Sequence, residues 1–259
     1  MQKITKSLVA FLFGGVLVVN YLANALPINN RDTGEISDAY QNLFAPAGLT
    51  FSIWGLIYLL LLGYVVYQFG FFDTDAFSRK TQLIDKMNTY FSINLTANIA
   101  WIFAWHYDYI FVSLLLMGVL LFTLIRIADI QRVEKFSGWE KLFLQLPFSI
   151  YFGWITVATI ANVTIFLVSI DWKGFGMTDT FWTIVILLVG ALIGIARMIR
   201  DKNSAYILVF VWAYVGILIK HISEQGFDSQ YPSIIMTVLL CLVLFGIFGV
   251  RFFVSRKTG

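Results

Sequence analysis

Apolar residues run along the chain in long unbroken blocks separated by short polar connectors. Eight blocks approach or exceed the ~20 residues that a helix needs to cross a bilayer core. They cover residues 8–26, 49–71, 90–105, 109–125, 143–170, 180–196, 205–220 and 234–250. The third and seventh are short, and the fifth is long enough to tilt or to run past the membrane. None alternates as a barrel strand does, and continuous apolar runs leave helices as the spanning structure. The pattern predicts an all-α protein, a polytopic membrane helical bundle of about eight transmembrane helices.

Charge orients these spans. With the N-terminus inside, fifteen of the eighteen Lys and Arg fall on the inner side. They form five groups: Lys3 and Lys6; Arg79, Lys80 and Lys86; Arg126, Arg132, Lys135 and Lys141; Arg197, Arg200 and Lys202; Arg251, Arg256 and Lys257. Only Arg31, Lys173 and Lys220 remain outside. The acids divide evenly, as expected if positive charge alone sets orientation. Both termini are therefore expected to be cytoplasmic. No organelle-targeting signal is evident, so the bacterial cytoplasmic membrane is the simplest location. Lys3, Lys6, the first apolar run and Ala23-Asn24-Ala25 imitate a cleavable leader. Cleavage would leave the other spans as they are.

Composition sharpens the class. Of 259 residues, 59% are hydrophobic and 13% charged, with a mean hydropathy of +0.80. Such values exclude a disordered chain and a soluble enzyme. The net charge of +3 reflects basic inner loops, and no nucleic-acid partner is expected. Cys241 is the single cysteine, so no intrachain disulfide forms. The two halves show no repeat, which weakens an inverted-repeat transporter reading.

No Asp, Glu, Lys or Arg lies deep in a predicted span. Ion-coupled pumps place carboxylates near the midplane, and membrane hydrolases use paired acids. What remains inside is neutral: Asn20, Asn24, Asn94, Asn98, Gln145 and Asn162, with Trp and Tyr. Asn94, Asn98, Trp101 and Trp105 share one helical face. Trp54 and Tyr58 share another, as do Trp154, Ala158 and Asn162. Two readings stand: interhelical amide glue, or an indole-walled cavity suited to a flat apolar ligand. Tyr109, Trp172 and Tyr231 read as interfacial belt residues. Gly190 and Gly194 suit close helix packing inside the bundle.

The first outer loop, residues 27–47, holds Arg31, Asp32, Glu35 and Asp38. Its length suits a lid or binding loop, or else a solvated connector. His106 and His221, beside Asp108 and Lys220, read as ordinary histidines at outer helix ends; no metal site is expected. Lys220 and His221 together suggest either a contact for a ligand carboxylate or a snorkelling lysine.

Three segments carry a family resemblance: FAPAGLTFSIWGLIY, NLTANIAWIF and LPFSIYFGWITVATIAN. In order, they resemble motifs of the tryptophan-rich sensory proteins, TspO, whose animal members are the translocator proteins or peripheral benzodiazepine receptors. Ala45-Pro46 stands where that family has a proline pair, and Trp54 and Tyr58 keep the following Trp-x-x-x-Tyr. Asn98 and Trp101 match Asn-x-x-Trp, and Trp154, Ala158 and Asn162 match Trp-x-x-x-Ala-x-x-x-Asn. Pro147 falls about one turn early, and an aromatic position associated with the family's porphyrin pocket falls on Gly48.

The resemblance divides the chain into a five-helix core, 1–170, and three additional helices, 171–259, packed on it. It implies a receptor or sensor binding a planar, tetrapyrrole-like molecule in an outward-opening pocket. That pocket draws on Trp54, Tyr58, Asn98, Trp101, Trp154 and Asn162. No cofactor is implied, a tetrapyrrole being a ligand. The partners implied are a hydrophobic small molecule, the lipid bilayer and a second copy of the chain in a homodimer. The alternatives are a transporter of a hydrophobic or lipid-like compound, a light-dependent porphyrin-degrading enzyme, and an assembly factor without a ligand. An enzyme is the weaker expectation, since no buried acid or base is evident. Trp182 and Trp212, in the additional helices, are expected to matter less for binding.

Overall fold

The computed structural model describes residues 2–26, 28–70 and 74–257, with side chains for 4–26, 28–70 and 80–251. Pro27, Phe71 and the side chains of Lys3, Arg79, Arg256 and Lys257, used in the sequence reading, lie outside these.

Among the described residues every regular element is helical. α1 (Gln2–Ala25) is followed by a short α2 (Thr33–Ala39). A 3₁₀ turn (Gly48–Ser52) leads into α3 (Ile53–Tyr67). Then come α4 (Thr74–His106), α5 (Ile110–Arg132), a single turn α6 (Gly138–Glu140) and α7 (Leu146–Ser169). α8 (Asp179–Asp201), α9 (Ala205–Ile222) and α10 (Pro232–Lys257) complete the chain.

Among the described residues seven helices are long and apolar enough to cross a membrane. Of the eight predicted spans, 90–105 is the exception. It forms the second half of α4, a helix of 33 residues that contains neither Gly nor Pro to interrupt it. Its buried amides lower its hydropathy, and an amide row cannot face lipid without partners. α4 accordingly packs between α1 and α5. Asn94 donates to Thr123 Oγ1 at 2.8 Å and to the Leu120 carbonyl at 3.2 Å on α5. Asn88 accepts from Tyr64 Oη and donates to Gln68 Oε1, both at 2.7 Å, tying α4 to α3.

α7 is the central helix, touching α3, α5 and α9. Residues 147–157 along it are all buried. Pro147 has no N–H to give, and the helix widens to a π turn over Lys141–Gln145 just before it. Gln131 of α5 donates to the Leu144 carbonyl there at 2.6 Å. α8, α9 and α10 pack on one another and reach α7 mainly through α9. Gly190 and Gly194 serve this internal packing: an added Cβ would stand 2.7 Å from Tyr214 Oη and 3.0 Å from the Phe210 ring.

Ion pairs join charged groups near the helix ends. At one end Lys80 pairs with Glu134 at 2.6 Å, Arg200 with Asp129 at 3.3 Å, and Thr5 donates to Asp85. At the other, Arg31 pairs with Asp108, and Lys220 with Asp38 at 3.1 Å. α8 runs past the predicted limit of its span and draws Arg197 and Asp201 inward. Their side chains pair at 2.8 Å and are each only 12% exposed. The Arg197 guanidinium lies 4.8 Å from the Phe152 ring centroid on α7.

Candidate functional site

The segment of residues 28–47 folds back over the bundle. Asp32 caps α2, its Oδ1 accepting from the Gly34 and Glu35 amides at 2.7 and 2.8 Å. Glu35 Oε2 returns the favour to the Asp32 amide at 2.8 Å, closing a capping box. Such a cap contributes about 1 kcal/mol, too little to hold seven residues in place alone. Tertiary bonds do the rest. Asn29 Nδ2 donates to the His106 carbonyl at 2.9 Å, and Trp105 Nε1 to the Thr33 carbonyl at 3.2 Å. Arg31 pairs with Asp108, which also accepts from Tyr40 Oη at 3.3 Å. Burial, with the Asp108 carboxylate second, pushes the Tyr40 phenol above its ordinary pKa, so it remains a donor. Lys220 holds Asp38 from α9, and His221 Nε2 lies 2.9 Å from the Leu43 carbonyl.

Asp108 is thus the hub of one latch. Asp108→Ala is expected to speed amide hydrogen exchange in residues 33–40 several-fold. Arg31 and Asp108 are 31% and 38% exposed, so the melting temperature should move by no more than a change of about 1 kcal/mol implies. Exchange mass spectrometry on the two proteins checks it.

Beneath α2, between α1, α3 and α4, lies a cavity of about 840 Å³. That is within the ~300–1,000 Å³ of sites that enclose drug-sized molecules. Its floor is aromatic: Trp54 stacks on Tyr58 with centroids 5.4 Å apart, and Trp101 stands beside them. Asn20 and Asn24 of α1 form an amide wall, and Asp32, Glu35 and Asp38 of the lid form the rim. Tyr21 and Gly55, both exposed, mark its mouth between α1 and α3. Gly48 also lines it, and a Cβ built there meets nothing within 4 Å. The missing aromatic position therefore leaves open space.

The six residues singled out by sequence take three different places. Trp54, Tyr58 and Trp101 line the cavity. Asn98 lies under it, with both ends of its amide bonded: Nδ2 donates to Tyr151 Oη at 3.3 Å and Oδ1 accepts from Asn20 at 3.2 Å. It positions the amide wall rather than lining it. Trp154 and Asn162 line a separate apolar cleft of about 50 Å³ behind the cavity, and Thr33, Phe51, Trp54 and Trp101 line both. Trp154 meets Trp54 edge-on at 6.3 Å, and Asn162 accepts from Ser113 Oγ at 3.3 Å.

Three buried polar atoms here have no hydrogen-bond partner: Tyr58 Oη, Trp101 Nε1 and Trp154 Nε1. Leaving such a group unsatisfied costs about 1–3 kcal/mol, which a ligand acceptor would recover. The cavity places of Asn20, Asn24 and Phe51 were not evident from sequence. The clue was a second i, i+4 amide pair on α1, matching Asn94 and Asn98 on α4 in spacing.

Besides the Lys220 and His221 contacts to the lid, the C-terminal helices reach this site at the turn before α3. Trp212 Nε1 donates to the Thr50 carbonyl at 2.9 Å, and the Ala47 amide to the Gly216 carbonyl at 3.0 Å. Both bonds fix the 3₁₀ turn that carries Gly48 and Phe51. Trp182 lies apart, packed on Trp172 and donating to the Gly174 carbonyl. Among the described residues no three His, Cys, Asp or Glu converge as metal ligands would.

A sequence model for the family described as TSPO-like protein matches residues 6–251. The match continues through α8, α9 and α10, beyond the five-helix resemblance. No curated protein and no solved structure matches the chain.

Proposed function

Taking as premise that this chain belongs to the TSPO-like protein family, we propose that it is an integral membrane receptor or sensor for a planar hydrophobic small molecule. The observation that carries this reading is the 840 Å³ cavity with Trp54, Tyr58 and Trp101 in its floor. Flat rings stack on indole and phenol faces, and the unpartnered Tyr58 hydroxyl and Trp101 N–H offer hydrogen bonds that orient them. The aromatic floor and the amide wall bind and orient a ring, and the carboxylates of Asp32, Glu35 and Asp38 stand at the rim. The setting that fits the charge pattern is a bacterial cytoplasmic membrane with both termini inside.

The test is tryptophan-fluorescence titration of the purified protein with protoporphyrin IX and with an uncharged three-ring aromatic, in the dark and then in light. Saturable quenching by at least one ring compound is expected. Unsaturable, linear quenching by both would reject the reading. Loss of porphyrin absorbance under illumination would move it towards the light-dependent enzyme.

A further inference from the structure

The charges around the cavity are of one sign. Asp32, Glu35 and Asp38 line it, and among the described residues no Lys, Arg or His does. Two basic side chains of the lid region are already paired: Arg31 with Asp108, and Lys220 with Asp38 of the rim itself. Asp38 is thereby neutralised. Asp32 and Glu35 have no ion-pair partner among the described residues. Asp32 Oδ1 and Glu35 Oε2 accept backbone amides in the capping box, and the other oxygen of each accepts from no described group. Two uncompensated carboxylates thus overhang a floor of electron-rich rings. In that floor Trp101, only 6% exposed, carries an indole N–H without a partner.

We propose that the cavity selects amphipathic aromatic cations: a flat ring system on Trp54, Tyr58 and Trp101, with a positive group raised towards Asp32 and Glu35. This rests on the ring-binding reading above and adds the charge of the ligand. The faces of Trp54 and Tyr58 favour a cation through their quadrupoles, as the carboxylates do through their charge. An anionic substituent at the same place meets repulsion from the same two groups. A ring bearing carboxylates, such as protoporphyrin IX, is then a poorer ligand than its shape suggests.

The experiment uses the full chain in uncharged detergent and three ligands of one ring size: 9-aminoacridine as cation, 9-anthracenemethanol as neutral compound and anthracene-9-carboxylate as anion. Each is titrated by tryptophan quenching at low and high salt. The cation should bind about tenfold or more tighter than the anion, with the gap narrowing at high salt as rim charges are screened. In Asp32→Asn/Glu35→Gln the gap should shrink to about threefold or less, since both replacements retain capping ability and lose only charge. The neutral compound reports whether the cavity is still formed. Saturable binding of the neutral compound with equal affinity for cation and anion, or with anion preferred, overturns the charge assignment alone. A cation preference that survives in the double variant overturns the roles of Asp32 and Glu35. Failure of all three compounds to bind the unmodified protein overturns the underlying ring-binding reading, and this proposal with it.

Discussion

Trp101→Ala is expected to weaken the binding of a flat ring compound by about tenfold to a hundredfold, the loss of one to two kilocalorie-scale contacts of a buried aromatic. Trp101 is 6% exposed and forms part of the wall between the cavity and the apolar cleft behind it. It also stacks on Trp105 at 5.3 Å, and Trp105 Nε1 in turn holds the lid through Thr33. Removing the indole merges two spaces, takes away a stacking face and loosens the neighbour that anchors α2. The fold will weaken as well: truncating a buried tryptophan in a soluble core costs about 3–5 kcal/mol. Binding must therefore be titrated well below the variant's own melting temperature. Trp101→Phe separates the contributions. It keeps an aromatic face and loses the unpartnered N–H, so a few-fold loss measures that hydrogen bond alone. Trp182→Ala should leave affinity unchanged, because Trp182 packs on Trp172 and touches nothing in the cavity. Trp212→Ala should fall between, since it releases the Thr50 carbonyl and the turn carrying Phe51. If folded Trp101→Ala binds as tightly as the unmodified protein, the cavity is not the ligand site.

The intermediate standing of Trp212 shows where sequence stops informing. Apolar runs suffice for most of the spanning helices and their order, because bilayer thickness acts on each segment separately. α4 escaped that logic. Charged and polar residues interrupt its first sixteen positions, so the apolar run begins at Tyr90, but nothing between Thr74 and His106 breaks the helix. The aligned Asn and Trp faces were visible as periodicity. Which neighbour each face would meet was not, because that depends on how helices are placed around one another. Asn94 meets α5, Asn98 meets α1 and α7, and Trp101 meets empty space, although all three share one face. The lid's anchoring was equally hidden. Arg31 and Asp108 are 77 residues apart, and Lys220 and Asp38 are 182 apart.

Gly153→Leu is expected to cost the folded state altogether, seen as loss of the monodisperse purified protein and of its cooperative melt. A Cβ on Gly153 would lie 2.9 Å from Val209 Cβ and 3.1 Å from the Tyr206 carbonyl oxygen, both on α9. The second obstacle is backbone, which no rotamer change can move aside. In a bilayer, helices associate through close packing and hydrogen bonds rather than through release of water, so a lost contact has no hydrophobic term to replace it. The same crossing carries the Tyr206 Oη to Thr156 Oγ1 bond at 2.8 Å and the Phe152–Tyr206 ring contact at 5.0 Å. Forcing α7 and α9 apart breaks these together. α9 is the main connection of the C-terminal helices to α7, and it also supports the turn at Thr50, so the damage reaches the cavity. Replacing glycine inside a helix gains up to about 1 kcal/mol of intrinsic helix preference. Overpacking of a tight contact costs about 1–3 kcal/mol and more where backbone must shift, so the clash wins. Gly153→Ala, adding the Cβ alone, should show a lowered melting temperature without collapse. Gly55→Ala is the matched control: a Cβ there meets nothing within 4 Å, and helix preference alone predicts a slight gain. A Gly153→Leu protein that melts with the unmodified one would mean that α7 and α9 do not cross this closely.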